Sequence, residues 1–192
     1  MAEKKYTPMM QHYLKMKEEN PDSILFYRLG DFYEMFFEDA KLVSQELDLV
    51  LTGRSAGVEE KVPMCGIPFH AANSYIQRLV KKGYKVAICE QLEDPSSAKG
   101  LVDRGIIKII TPGTYMDATM DAKSTNYMAS CDVSSFEITV IYCELSTGEL
   151  KYQTLQRSLV ALQKALLEQN VSELVLSLIH ISEPTRPEPI SY

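Results

Sequence analysis

The spacing of apolar residues in the first part of the chain alternates between the helical and the extended period. After the capping pair Thr7-Pro8, apolar residues recur every three or four positions until Asn20-Pro21, which predicts a first helix. The apolar run Ser23–Leu29 then predicts a short strand. Later runs predict strands at Leu49–Thr52, Lys85–Glu90 and Ile106–Thr111, and a helix over His70–Gly83. This alternation predicts an α/β fold in which helices flank a mixed sheet.

The aromatic stretch Phe26–Phe37 allows two interpretations. Gly30-Asp31 interrupts the strand, and Asp31 is predicted to cap a second helix that begins at Phe32. In the first interpretation, Asp31 and Glu34 form a capping box and Phe32 packs in the core. In the second, the ring of Phe32 and the carboxylate of Glu34 are presented to a partner, for stacking and for hydrogen bonding. The residue pattern alone favours the capping box.

Residues 53–70 are predicted to form a loop, because glycine and proline recur too often for regular structure. Within this loop, Pro63–Pro68 holds apolar residues inside a frame of proline and glycine. The segment is either a buried loop that packs Met64 and Ile67, or a rigid turn pressed against a ligand. The residue pattern does not decide between these two interpretations.

The pattern changes after residue 115. Residues 116–125 are predicted to form an interdomain linker, because small and polar residues follow one another there without the regular apolar spacing of a helix or a strand. Residues 126–177 predict a β-meander, an amphipathic helix and one further strand, which is too little for a finished sheet. The second domain is therefore interpreted as truncated. Residues 178–192 carry three prolines and are interpreted as a non-native tail.

Composition narrows the class of protein. The 192 residues are 45% hydrophobic with a net charge of −6, which is typical of a globular protein and excludes a surface that is basic throughout. Nucleic-acid binding would therefore need a local basic face. No apolar run is long enough to cross a bilayer, and the N-terminus lacks the apolar core of a signal peptide. Four widely separated cysteines predict reduced thiols and a cytoplasmic location rather than a zinc site.

Catalytic motifs are sparse in this sequence. Neither the P-loop pattern nor the dinucleotide-binding glycine pattern occurs, and the three histidines lie far apart. Asp132 ends a predicted strand at a position similar to that of a metal-binding carboxylate in ribonuclease-H-like nucleases, although strand-end aspartates usually form turns. Two alternatives stay open on the residues alone: a metal-dependent nuclease-like domain and a protein–protein interaction fragment.

Four blocks of sequence together resemble the MutS family of bacterial DNA mismatch-repair proteins. The blocks are Leu25–Phe36, Pro63–His70, Val86–Gln91 with Asp94-Pro95, and Ile110–Thr114, in this order. The resemblance covers about residues 5–177. It implies that residues 1–115 are a mismatch-recognition domain. It also implies that residues 126–177 begin a connector domain with a ribonuclease-H-like fold.

The resemblance further implies which functions this chain holds. The clamp, dimerisation and ATPase regions of the family are expected outside it, so the chain is not expected to be an enzyme or to bind a cofactor. ATP and magnesium are expected only in the intact protein, together with dimerisation and repair partners. The expected partner of this chain is double-stranded DNA that contains a mismatch or a small insertion/deletion loop.

The Phe-x-Glu motif of the family falls on Phe32 and Glu34. The resemblance implies that Phe32 enters the minor groove, stacks on the mispaired base and kinks the duplex, while Glu34 hydrogen-bonds that base. A mismatch is already poorly stacked and easily bent, so an aromatic wedge costs less free energy there than at a paired step. The further candidates for DNA contact are Arg28, Arg54, Met64 and Arg78.

Overall fold

The structure, a computed structural model, describes residues 6–93, 102–115 and 126–176. The chain divides into two units, Met1–Tyr115 (unit 1) and Met116–Tyr192 (unit 2). The predicted linker, 116–125, and the predicted tail, 178–192, lie outside the described residues.

Unit 1 is built on a mixed sheet with helices on both faces. Its elements are α1 (Pro8–Glu19), β1 (Ser23–Leu29), β2 (Phe32–Phe36), α2 (Phe37–Leu47), β3 (Thr52–Arg54), β4 (Val62–Pro68), α3 (Ala72–Lys81), β5 (Lys85–Gln91) and β6 (Arg104–Ile110). The strand order is β3-β4-β2-β1-β5-β6. Strands β1 and β5 are parallel, and the other neighbouring pairs are antiparallel. The predicted α/β fold with a mixed sheet and flanking helices is confirmed.

Alternation along the strands divides the core of unit 1 into two layers. Successive side chains of a strand point to opposite faces of the sheet. On one face, α2 and α3 pack with Phe26, Tyr33 and other buried residues. On the other face, α1 packs with Leu25, Tyr27 and Phe36. Both faces of the central strands are therefore covered, and this packing positions the strand ends.

The aromatic stretch is a β-hairpin, so the predicted helix start and its capping box are wrong. Phe32–Phe36 pairs antiparallel with β1 on one side and with β4 on the other. Gly30 adopts a φ of 58°, which allows a two-residue turn with Asp31 to connect β1 and β2. Aromatic side chains suit a strand that is paired on both sides. Helix α2 begins only at Phe37, and the carbonyl of Asp31 instead accepts a hydrogen bond from the amide of Phe69 (2.9 Å).

Two further predictions near the sheet edge are wrong. The strand predicted at Leu49–Thr52 is displaced to β3, and residues 53–70, predicted as a loop, contain β4. Pro63 is tolerated because it lies near the start of β4, opposite Gly53 in the short edge strand β3. Ile67 is buried, as the packed-loop interpretation expected, but it is buried as part of a strand.

The remaining predicted elements of unit 1 are present with shifted bounds. The helix predicted over His70–Gly83 is a 3-10 turn, Phe69–Ala71, followed directly by α3. Gly83 adopts a φ of 91° just after α3, a conformation that glycine tolerates at the end of a helix. The strands predicted at Lys85–Glu90 and Ile106–Thr111 are β5 and β6.

A buried carboxylate, Asp39 in the first turn of α2, connects three elements. It accepts hydrogen bonds from the amide of Leu25 (2.9 Å) and from the ammonium of Lys17 (2.9 Å). The hydroxyl of Tyr13 lies 3.4 Å from the same carboxylate and accepts a hydrogen bond from the amide of Phe36 (3.2 Å). Burial, together with the charge of Asp39, raises the pKa of Tyr13, so the hydroxyl stays protonated. These bonds fix the junction of β2 and α2 to α1 and β1.

Unit 2 has the elements predicted for it. They are β7 (Tyr127–Val133), β8 (Glu137–Glu144), β9 (Glu149–Gln156), α4 (Leu159–Glu168) and β10 (Val171–Val175). The strand order is β10-β7-β8-β9, with β10 parallel to β7 and the other pairs antiparallel. Helix α4 packs on one face, where Tyr127, Val140 and Tyr142 are buried. The opposite face exposes apolar side chains such as Ile141 and Tyr152.

Two predictions from composition can be compared with the structure. All four cysteines are free thiols. Burial raises the pKa of Cys65 and of Cys89 to about 12, so both thiols stay protonated and unreactive at neutral pH. None of the described helices has the length and apolar character needed to span a membrane.

Candidate nucleic-acid interface

Phe32 occupies the tip of the β1–β2 hairpin. It is the first residue of β2, directly after the Gly30-Asp31 turn, and 46% of its surface is exposed. It pairs with Leu29 in β1 and with Pro68 in β4, so neighbouring strands hold its backbone on both sides. An exposed aromatic ring on a fixed backbone can stack on a flat partner without the cost of first ordering a loop.

Glu34 lies on the same sheet face as Phe32, two residues further along β2. Its side chain is only 15% exposed, and it forms an ion pair with the guanidinium of Arg54 on the edge strand β3. Gly66 is opposite Glu34 in β4, and a Cβ atom on Gly66 would lie 3.5 Å from Cγ of Glu34. The carboxylate predicted to read a base is therefore already paired within the protein, which the sequence did not indicate.

Phe32, Glu34 and Phe36 form a row along one face of β2. Phe36, the third residue of this row, lies in the core. It is 1% exposed, and the ring of Tyr13 from α1 meets it edge-on at a centroid distance of 4.9 Å. The row of Phe32, Glu34 and Phe36 thus passes from exposed to buried along β2. Only its first two members are available to a partner.

A cluster of four side chains supports the hairpin on the sheet face opposite that of Phe32. Its members are Arg28, Tyr33, Phe69 and Glu90. The guanidinium of Arg28 lies 3.7 Å from the ring centroid of Phe69 and donates a hydrogen bond to the carbonyl of Gly30. Arg28 also forms an ion pair with Glu90 (3.4 Å), and Tyr33 donates its hydroxyl to the same carboxylate. Burial raises the pKa of Tyr33 to about 12, so its hydroxyl remains a donor. The cluster therefore fixes the turn.

The candidate contact residues near the hairpin fall on different faces. Arg54 lies beside Glu34, and Met64 is half-buried on the same face, opposite Phe36 in the β2–β4 pairing. Arg28 lies on the opposite face and is engaged in the supporting cluster. The structure therefore brings Arg54 and Met64 to the face of Phe32 but not Arg28.

Arg78 lies away from the hairpin tip. It is exposed in the last turn of α3. Helix α3 follows the 3-10 turn that begins at Phe69, next to the tip, and leads towards Lys85, which pairs with Ser23 at the start of β1. The helix therefore carries Arg78 towards the end of the sheet opposite the Gly30-Asp31 turn.

Sequence reasoning missed the supporting cluster. Tyr33, Phe69 and Glu90 all lie within the blocks that resemble the MutS family. Nothing in their local pattern indicates that they meet Arg28, because the contacts join strands that are distant in sequence. Only a prediction of strand pairing could have identified this cluster.

A nuclease site would require carboxylates that converge on a metal ion. Among residues 6–93, 102–115 and 126–176, no group of three or more His, Cys, Asp and Glu residues is arranged to hold a metal. Asp132 lies on β7, where it is paired with Thr139 of β8. The described residues therefore offer no metal site to the nuclease alternative.

Comparison with known proteins defines the class of this fold and hairpin. The family model for MutS domain I matches residues 7–119. The DNA mismatch repair protein MutS of Clostridium botulinum (strain Loch Maree / Type A3) is 53% identical over 184 residues, which cover 91% of this chain and 19% of that protein. The DNA mismatch repair protein MutS of Clostridium tetani (strain Massachusetts / E88) is 58% identical over 146 residues, which cover 76% of this chain and 17% of that protein.

These matches place the chain among the DNA mismatch-repair proteins. It belongs to the MutS family, as the four sequence blocks implied. The chain spans about a fifth of the length of the curated relatives it matches. Its matched part, residues 7–119, is domain I of the family.

Proposed function

We propose that unit 1 recognises mismatched DNA, with Phe32 as the residue that probes the duplex. Phe32 enters the minor groove, stacks on a mispaired or unpaired base and kinks the duplex, and Glu34 hydrogen-bonds that base. The observation that carries the proposal is the exposure of Phe32 at the tip of a hairpin whose strand is paired on both sides. This exposure also argues against an interaction fragment in which the aromatic stretch is only core.

Recognition by Phe32 depends on how easily the duplex deforms. Wedging an apolar side chain between paired bases costs a few kcal/mol per unstacked step. A mismatched step has already lost part of its stacking, and it bends more easily than a paired step. Phe32 therefore discriminates through the difference in deformation energy, and base sequence contributes little.

Glu34 adds a penalty against fully paired DNA. A carboxylate close to phosphates is repelled by their negative charge. In a mismatch complex, a hydrogen bond from the displaced base to Glu34 offsets this repulsion. Fully paired DNA cannot offer that bond, so the carboxylate raises specificity by weakening the wrong complex.

The remaining assignments follow the family. Residues 1–115 form the mismatch-recognition domain, 116–125 a linker, and 126–177 the start of a connector domain with a ribonuclease-H-like fold. The antiparallel meander of unit 2, followed by α4 and a parallel strand, supports this assignment. In the intact protein, regions outside this chain bind ATP and magnesium, clamp the DNA and form a dimer, and the protein acts in the cytoplasm.

The test compares two exposed phenylalanines, in a full-length family member that carries this module. Mismatch preference is measured as the ratio of the Kd for a fully paired duplex to the Kd for the same duplex with one mismatch. Phe32→Ala is expected to reduce this ratio to about 1, because the wedge is lost. Phe136→Ala is the matched control, because Phe136 is an exposed phenylalanine of unit 2, and it should leave the ratio unchanged. A Phe32→Ala variant that keeps its preference would contradict the proposal.

A further inference from the structure

The ion pair between Glu34 and Arg54 gives Arg54 a role beyond that of a candidate phosphate contact. Nη1 of Arg54 meets Oε2 of Glu34, and the guanidinium carbon lies 6.0 Å from the ring centroid of Phe36. The Arg54 side chain is 35% exposed and the Glu34 side chain 15%. The guanidinium therefore lies close both to the buried ring of Phe36 and to the carboxylate of Glu34.

The strand pairing explains how the two side chains meet. Arg54 belongs to the edge strand β3 and pairs with Val62 of β4. Its long side chain extends along the sheet face to reach Glu34 on β2, on the far side of β4. Gly66 carries no side chain at the position of β4 directly opposite Glu34, where a Cβ atom would contact Cγ of Glu34 at 3.5 Å. The fold thus supplies Glu34 with a fixed donor across β4.

The charges explain why this donor matters. A carboxylate exposed beside Phe32 would face the phosphates of any bound duplex without a counter-ion. A guanidinium is charged at all working pH values and fixes the geometry of a carboxylate through directed N–H donors. Because both groups are partly exposed, their pairing adds little to the stability of the fold. Its main consequence is the orientation and the effective charge of Glu34.

We propose that Arg54 is a positioning residue for base reading: it holds the carboxylate of Glu34 towards the mispaired base and offsets its charge against the phosphates. The inference rests on the proposed function of Phe32 and Glu34. The competing role for Arg54 is a phosphate contact that is independent of Glu34. The two roles differ in one measurable property, which is whether the effect of changing Arg54 depends on the residue at position 34.

A double-mutant cycle measures this dependence. It uses the wild type, Arg54→Gln, Glu34→Gln and the double variant, in a full-length family member that carries this module. The Kd for a duplex with one mismatch is measured for each protein. With Glu34 present, Arg54→Gln is expected to weaken mismatch binding by about tenfold, because the carboxylate is left unpaired and unoriented. In the Glu34→Gln background the same change is expected to cost about threefold or less, as for a single phosphate contact.

Equal factors in the two backgrounds would overturn the inference and leave Arg54 as a phosphate contact. That role would also lower the slope of log K against log salt by about 1 in both backgrounds. Lys61→Gln is the matched control, because Lys61 is an exposed cation close to Gly53 of β3. A Cβ atom added to Gly53 would lie 3.0 Å from the Cβ atom of Lys61. The effect of Lys61→Gln should be the same whether position 34 is Glu or Gln.

Arg54→Lys separates positioning from a general loss of structure. Lysine keeps the charge, so this variant is expected to recover at least half of the lost mismatch affinity on a logarithmic scale, with an unchanged Tm. Recovery of the same size in the Glu34→Gln background would also overturn the inference, because the charge at position 54 would then act without Glu34. Phe32→Ala distinguishes a failure of the proposed function from a failure of the role given to Arg54. If Phe32→Ala abolishes mismatch preference while the cycle shows no coupling, only the role of Arg54 fails.

Discussion

Phe32 in unit 1 and Phe136 in unit 2 are both exposed phenylalanines beside hairpin turns, but they are held in different ways. Phe136 is 89% exposed and lies in the turn between β7 and β8, whereas Phe32 is 46% exposed. The hydroxyl of Ser134 accepts hydrogen bonds from the amides of Phe136 (3.3 Å) and Glu137 (3.1 Å). Phe32 instead belongs to a strand that is paired on both sides. Exposure alone therefore does not identify a reader, because the backbone beneath the ring must also be fixed.

The charges around the two rings differ as well. Phe136 is followed directly by the acidic residue Glu137, which disfavours the approach of phosphates. The carboxylate nearest Phe32 in its row, Glu34, is paired with Arg54. The acid in the row of Phe32 thus has a fixed counter-ion on the neighbouring edge strand. If Phe32 reads DNA as proposed, a preorganised strand and a paired acid are the two features that suit it to that role.

The largest effect should follow from removing Asp39, the buried carboxylate that fixes the junction of β2 and α2 to α1 and β1. Asp39→Ala leaves the amide of Leu25 without its acceptor and Lys17 without its counter-ion. We expect unit 1 to lose about 3 kcal/mol of unfolding free energy. Since the chain has no tryptophan, urea unfolding is followed by far-UV circular dichroism. Glu38→Ala, one residue away with an 85% exposed side chain, is the control and should change stability by less than about 0.5 kcal/mol. Equal effects of the two variants would contradict the role given to Asp39.

A smaller effect should follow from removing the carboxylate next to the reader. Glu34→Ala is expected to strengthen binding to fully paired DNA by a few-fold, about 1 kcal/mol or less, because a negative charge near the phosphates is lost. The Kd for a paired duplex is measured at low and at moderate salt, and the gain should shrink as salt rises. Glu137→Ala, next to Phe136, is the matched variant in unit 2 and should leave this Kd unchanged. If Glu34→Ala weakens binding to paired and mismatched duplexes alike, Glu34 has a structural role instead.

The smallest effect concerns the pH at which each unit loses stability. Burial, aided by Arg104, lowers the pKa of His12 below 6.5 in unit 1, so that unit is stabilised above pH 6.5 and loses this contribution as pH falls. In unit 2, hydrogen bonds from Thr147 and Ser146 lower the pKa of Glu144 to about 2 from an ordinary 4.5. The contribution of Glu144 is complete above pH 4.5 and is lost as pH falls towards 2.

Hydrogen exchange of the strands in each unit, followed across this pH range, tests the order of these losses. His12→Gln should remove part of the pH dependence of unit 1 below pH 6.5 and leave unit 2 unaffected. Glu144→Gln should remove part of the pH dependence of unit 2 below pH 4.5 and leave unit 1 unaffected. A His12→Gln protein with the wild-type pH dependence in unit 1 would show that His12 does not contribute.

The fold class could be predicted from the sequence because it depends on the spacing of apolar residues within short stretches of the chain. The alternation of helical and extended runs predicts the α/β class, and the order of a meander, a helix and one further strand predicted for residues 126–177 is the order found in unit 2. The hairpin could not be predicted in this way. Phe32–Phe36 fits a helix start as well as a strand, and what decides is pairing with β4, about thirty residues away in sequence. The same distant pairing makes a strand of Pro63–Pro68.

The candidate site was predictable only in part, for the same reason. Phe32 and Glu34 were identified through the resemblance to the MutS family, while the residue pattern alone favoured a capping box. The ion pair with Arg54 and the stack of Arg28 on Phe69 join different strands, so no local spacing indicates them. Residue type marked both arginines as DNA contacts, but the fold engages each of them within the protein.

Contact between Phe32 and the mispaired base is the proposed interaction on which the other roles depend. Photocrosslinking tests this directly, with Phe32→p-benzoylphenylalanine in a full-length family member and a duplex that carries one mismatch at a known position. Crosslinks are expected to concentrate at the mismatched base, and none are expected when Phe136→p-benzoylphenylalanine is used. Crosslinks from position 32 that are spread evenly along the duplex, or that are no more frequent than those from position 136, would contradict the proposed contact.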